Sequence, residues 1–222
     1  NAERGTPLEE AFRSTAPYAP YAIGATQVTQ LVYWIVTGRT PSHFGNPDNF
    51  PVGRAGEPTI LATGAPGMYP DLPVEQVSWE DINGPGGFFD LINRYCEAHG
   101  IPSRFRLPTE VQWEYAARGG TQTDYYFDEP RAHEYAWHHA NSGGHPHGVA
   151  QLTPNEYGLY DTAGNVWEWV EDWHVNPHVQ SGSYRVYRGG SWFSPSRRLR
   201  IALRYFYPPS HNDVLGFRAV RT

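Results

Sequence analysis

A chain of 222 residues has room for one domain with a sizeable core, and its net charge of −6 excludes nucleic acid as the main partner, because phosphate binding needs a basic surface. With 8 Trp, 15 Tyr, 23 Gly and 20 Pro, the composition excludes a helical bundle and describes a chain of turns packed by rings. The lone cysteine, Cys96, excludes an internal disulfide, and no apolar run nears the roughly 18 residues of a membrane span.

In chain order, residues 1–20 read as a polar lead-in. The sequence begins at Asn1, not Met, which suggests processing or excision from a longer protein, and no feature sets a cellular location. Val28 to Gly38 reads as a short helix capped by Thr29 and ended by Gly38. Residues 38–75 carry many Gly and Pro and read as a long loop. Ser78 caps a second helix, which Gly84-Pro85-Gly86-Gly87 interrupts. Phe88 to His99 continues as a helix stopped by Gly100, with Cys96 inside it as a buried apolar residue. Thr109 and Gln112 form a capping box for a helix ending at Arg118.

Residues 120–155 form a polar loop region rich in Gly and His. Strands are expected at Tyr157–Tyr160, Asn165–Val170, Tyr184–Tyr187 and Leu215–Val220. A few short helices followed by short strands read as α+β. His133, His138, His139, His145 and His147 gather in the loop region. A zinc site wants such ligands in tight geometry, but no spacing demands one, and solvated loop histidines are the competing reading.

Four stretches carry a resemblance. They are Arg106-Leu107-Pro108-Thr109-Glu110 continuing through Trp113-Glu114-Tyr115 to Gly120; Tyr157-Gly158-Leu159-Tyr160 continuing through Gly164-Asn165-Val166-Trp167-Glu168-Trp169; Arg188-Gly189-Gly190-Ser191-Trp192; and Gly216-Phe217-Arg218. In order and content they resemble the formylglycine-generating enzyme, or sulfatase-modifying factor, family over residues 21–222. The resemblance implies a loop-rich C-type lectin-like fold. It also implies two cysteines after the Arg-Gly-Gly-Ser motif that bind copper as soft thiolates. Those positions hold Ser194 and Leu199, so no copper and no catalytic residues are expected. Relatives that oxidise sulfur with iron use histidines from an additional N-terminal domain, and residues 1–20 contain no His.

The resemblance implies a structural Ca²⁺ at Asp161, Gly164, Val166 and Glu168: two carboxylates and two carbonyls toward the six to eight oxygens that ion takes. In an extended segment Val166 and Glu168 fall on one side, Trp167 and Trp169 on the other. The competing reading has Asp161 capping the turn and Glu168 paired with an Arg.

The C-terminal segment, about 193–214, keeps a framework of Trp192, Arg200, Ala202, Arg204, Pro209, Gly216, Phe217 and Arg218. Between these stand diverse residues: Phe193, Ser194, Arg198, Ile201, Leu203, Tyr205, Phe206, Tyr207, Ser210, His211, Asp213 and Val214. Each can be reached from the Asn codon AAC by changing its adenines. Lys, Glu, Gln, Met and Trp cannot, and none of these five occurs between Phe193 and Thr222. The segment resembles the variable proteins of diversity-generating retroelements, which mutate adenines in one coding segment and display the result on such a scaffold.

These twelve residues are therefore the candidate ligand surface of a non-catalytic binding protein, the competing reading being that some of them, notably Ile201 and Leu203, are plain core. The protein is expected to be a monomer and to bind a protein or a surface glycan. The alternatives are a metal-dependent oxidoreductase-type relative and a structural or regulatory module of the same fold.

Overall fold

The structure, a computed structural model, describes residues 20–45, 68–174 and 184–222. The lead-in up to residue 19 and residues 46–67 of the long loop lie outside the described residues.

Local chemistry sets the helices. Helix α1 spans Gln30–Thr37; the Thr29 side chain accepts from the Val32 N–H, and Gly38 closes it at φ 69°. Helix α2, Trp79–Asn83, carries a reciprocal capping box between Ser78 and Asp81. The glycine run then breaks the chain. A side chain on Gly84 would lie 2.6 Å from the Glu80 carbonyl oxygen, so the turn requires its absence. Helix α3 follows at Phe88–Ala98 and buries Cys96. Helix α4, Glu110–Arg118, has the expected box between Thr109 and Gln112 and ends at left-handed Gly119.

Two small sheets complete the described fold. In the first, β1 (Ala22–Ile23) and β2 (Phe105–Arg106) flank β7 (Val220–Arg221) as antiparallel partners, so the last strand ties both ends of the domain together. The second has the order β5-β4-β3-β6, with β3 at Trp167–Trp173, β4 at Arg185–Arg188, β5 at Arg204–Tyr207 and β6 at Leu215–Phe217. β3 lies parallel to β6 and antiparallel to β4. The expected single strand Leu215–Val220 is two strands serving different sheets. The expected strand Tyr157–Tyr160 is a turn. There the Asn155 side-chain oxygen accepts from the N–H groups of Tyr157 and Leu159, a local bond that competes with any ladder.

The main core joins the helices to the larger sheet. Tyr33 of α1 stacks on Phe88 of α3 at 5.7 Å, and Phe88 meets Phe217 of β6 edge-on at 5.1 Å. Each such buried ring contributes about 2–3 kcal/mol. The first part of strand β3, Trp167 to Val170, is buried on both faces. Val166, just before it, packs with Phe44, Tyr69, Leu72 and Trp192, while Trp167 and Trp169 join the main core.

Candidate functional site

The scaffold beneath the C-terminal segment is a buried charge network. Glu110 and Glu114 lie one turn apart on α4, both almost wholly buried. The Arg188 guanidinium, at the end of β4, donates to Glu110 Oε1 (2.5 Å), to Glu114 Oε2 (2.7 Å) and to the Ile201 carbonyl (2.7 Å). Arg204 of β5 grips both oxygens of Glu110 at 2.7 and 2.6 Å. Arg118 closes the set on Glu114 at 2.8 Å. The arginines of the two Arg-Gly-Gly triplets, 118 and 188, thus share one carboxylate. Arg118 and Glu114 are four residues apart on α4, but nothing in the sequence marks Arg188 as the second partner, 74 positions from Glu114.

This network and a small apolar cluster divide the segment into an inner and an outer set. Phe193 is 64% exposed, Tyr207 is 41% exposed, and Arg198, Ser210 and His211 are also exposed. Tyr205 is half-buried: it meets Trp167 edge-on at 5.5 Å, stacks with Tyr187 and carries the Arg198 guanidinium 5.6 Å above its ring. Phe206 projects from the other face of β5, flat on His174 at 3.6 Å. Val214 is half-buried between the Trp167 and Trp192 clusters, and Asp213 is half-buried beside it. His211 pairs with Asp81 at 2.8 Å.

Three expected surface residues are corrected. Ser194, Ile201 and Leu203 are 3%, 2% and 2% exposed. The Ser194 hydroxyl accepts the Ser191 N–H and so holds the turn. Ile201 packs with Trp113, Val170 and Val186, and Leu203 joins the main core. Their alternation along the chain was the available signal, a period of two that turns both inward.

The two positions where copper ligands would stand do not suit that ion. The Ser194 oxygen is engaged in its turn, and Leu199 is buried against Ala136 and Ala163. Gly190 makes room for Leu199: a side chain there would come within 2.6 Å of Leu199 Cδ2. A hydroxyl and an isobutyl group offer no soft ligand.

The four expected calcium positions are close together, but their oxygens are largely engaged. Asp161 Oδ2 accepts the Ala150 N–H at 2.8 Å, and burial lifts this carboxyl to about 6. Gly164 turns at φ 84°, where a side chain would strike the Trp137 carbonyl oxygen. Glu168 is fully buried. Its Oε1 accepts from Arg218 at 2.9 Å, and its Oε2 from Arg218 at 3.1 Å and the Trp113 indole at 2.6 Å. Glu168 is thus paired with an arginine, as the competing reading has it, while Asp161 bonds the backbone of a neighbouring loop. Gln27, missed in the sequence, joins them: its amide nitrogen donates to the carbonyls of Asp161 and Val166 and to Glu168 Oε1.

The histidines support loop structure. His147 lies flat on Trp137 at 3.7 Å and meets the Ser142 carbonyl, with the His145 ring 4.5 Å away. Burial lowers the pKa of His138 and of His147. Among the described residues no three His, Cys, Asp or Glu side chains are grouped to hold a metal. Among them, too, no helix is long and apolar enough to cross a membrane.

The geometry and the motifs define a loop-rich α+β domain of the C-type lectin-like type. The chain belongs to the family described as the sulfatase-modifying factor enzyme 1-like domain, whose model matches residues 1–222. It is similar to the formylglycine-generating enzyme of Streptomyces coelicolor, 35% identical over 178 residues, 67% of this chain and 52% of that protein. It is similar also to the inactive C-alpha-formylglycine-generating enzyme 2 of Bos taurus, 34% identical over 181 residues, 66% of this chain and 57% of that one. The chain therefore spans little more than half the length of these relatives. Among solved structures it resembles Treponema denticola variable protein 1, with a TM-score of 0.68 and 30% identity, covering 90% of this chain and 84% of that one. It also resembles PvdO from Pseudomonas aeruginosa, with a TM-score of 0.66 and 26% identity, covering 91% and 80%.

Proposed function

We propose that this chain is a non-catalytic binding protein whose 193–214 segment presents a diversified ligand surface, in the manner of retroelement variable proteins. The observation that supports this best is the division of the segment. Phe193, Arg198, Tyr207, Ser210 and His211 face outward. The backbone beneath them is fixed by Arg188, Arg204, Leu199, Ile201 and Leu203. Outer side chains can then change without moving the loops that carry them. Exposed aromatic rings and arginine also supply much of the energy at protein interfaces. The ligand is a protein or a surface glycan.

The replacement of both copper-binding cysteines by Ser194 and Leu199, and the likeness to a protein named inactive, support the non-catalytic reading. Sequencing the coding region from a growing population tests the proposal. Substitutions confined to codons 193–214 are expected, at the positions where a near-repeat of that segment beside a reverse transcriptase carries adenine. An unvarying segment with no such repeat would refute diversification. Oxygen uptake with a cysteine peptide would refute the non-catalytic reading.

A further inference from the structure

We infer that the Gln27 side-chain amide takes the place of a bound cation, so that the turn from Asp161 to Glu168 is held without calcium. Three oxygens converge on one point: the Asp161 carbonyl, the Val166 carbonyl and Glu168 Oε1. The Gln27 amide nitrogen sits there, at 3.2, 2.8 and 3.1 Å from them. Convergent oxygens repel one another unless something positive lies between them. An amide N–H dipole does this at hydrogen-bond distance, where calcium would do so at about 2.3–2.6 Å.

The surrounding charge points the same way. The Glu168 carboxylate is already balanced by the Arg218 guanidinium, which is fully buried and donates to both of its oxygens. Arg218 is anchored elsewhere, donating to the carbonyls of Gly24 and Tyr160 at 2.7 Å each. A divalent ion among these oxygens would face that guanidinium at close range, and like charges in a dry interior repel strongly.

Gln27 itself is positioned by the backbone. The Val28 N–H donates to the Phe217 carbonyl and the Val28 carbonyl accepts from Val74, so the residue enters the core at a fixed point. Its orientation is also determined. Among the described residues Gln27 Oε1 has no hydrogen-bond donor, and turning the amide over would set that oxygen against the other three. The three oxygens thus select the nitrogen, at the expense of an unsatisfied carbonyl on the far side.

Thermal unfolding with and without calcium tests this. The whole chain, purified through EDTA, is expected to melt at the same temperature in EDTA and in millimolar CaCl₂. Equilibrium dialysis against radiolabelled calcium is expected to find no stoichiometric ion. Gln27→Ala, which leaves three oxygens facing an empty space, is expected to melt several degrees lower in EDTA and to recover part of the loss in calcium. A calcium-raised melting temperature for the wild type, one retained ion per chain, or a Gln27→Ala protein as stable as wild type in EDTA would each overturn the inference. Should the variant fail to fold, the two wild-type measurements decide. None of these outcomes bears on whether the C-terminal segment binds a ligand.

Discussion

Glu110 and Arg204 form a two-pronged ion pair, 2.7 and 2.6 Å long, across 94 positions of sequence. It fastens helix α4, which is framework, to strand β5, which carries the candidate ligand residues. Glu110 also holds Arg188, whose other amino group holds the Ile201 carbonyl. One carboxylate therefore fixes the backbone of the segment at two points.

Removing it should be costly. Glu110→Ala leaves Arg188 buried and partly unpaired and takes from Arg204 the carboxylate that it grips. The expected loss is about 3–5 kcal/mol, read by urea unfolding. The exposed pair Arg131–Glu134 is the control: Glu134→Ala should change stability little, since both side chains stand in water. Equal losses at the two sites would show that the network does not fix the segment.

The inner and outer sets should separate under truncation. Leu199→Ala and Ile201→Ala delete side chains that are 1% and 2% exposed, and each is expected to lose about 2–5 kcal/mol. Phe193→Ala removes a larger ring that is 64% exposed and should cost less than about 0.5 kcal/mol. Chemical unfolding of the three single variants checks the division.

Stability should fall as the pH rises above the ordinary carboxylate range. Glu75 is fully buried, with one oxygen bonded to the Phe44 N–H and the other without a partner among the described residues. Burial, reinforced more weakly by Asp213, lifts its carboxyl from 4.5 to about 8 against the opposing backbone bonds. The folded state then keeps a proton that the unfolded chain releases near 4.5, so stability is lost progressively from there up to about 8. Buried Asp161, lifted to about 6, adds a smaller slope of the same sign. Glu75→Gln should flatten the profile and gain on the order of 1–3 kcal/mol at pH 9. Unfolding curves between pH 5 and 9 are the measurement, and an unchanged slope would count against a buried, protonated Glu75.

Much of the fold was legible because its signals are local. Thr29, Ser78 and Thr109 cap their helices as their neighbours dictate, and Gly38 and Gly119 end theirs in left-handed turns. The strand around Trp167–Trp169 followed from its ring pattern. What could not be read is carried by partners distant in sequence. Glu168 meets Arg218 fifty residues on, and Gln27 reaches it from more than a hundred residues before. Asn155 replaces an expected strand with its own side-chain bonds. In the C-terminal segment, Ile201 and Leu203 could be read as ligand surface or as core, and only their packing partners, distant in sequence, decide for core. Tyr205 and Phe206 of β5 stood among the candidate binding residues, although each ring packs partly on neighbouring side chains, Tyr205 on Trp167 and Phe206 on His174.

On the proposed reading, the outer side chains of residues 193–214 are free to change on a backbone fixed from within. Its most direct test is a library in which Phe193, Arg198, Tyr207, Ser210 and His211 are randomised together and thermal unfolding is measured clone by clone. Most clones should fold cooperatively and melt within a few degrees of the parent. Clones that are mostly unfolded, or no more stable than a matched library at Leu199, Ile201 and Leu203, would contradict it.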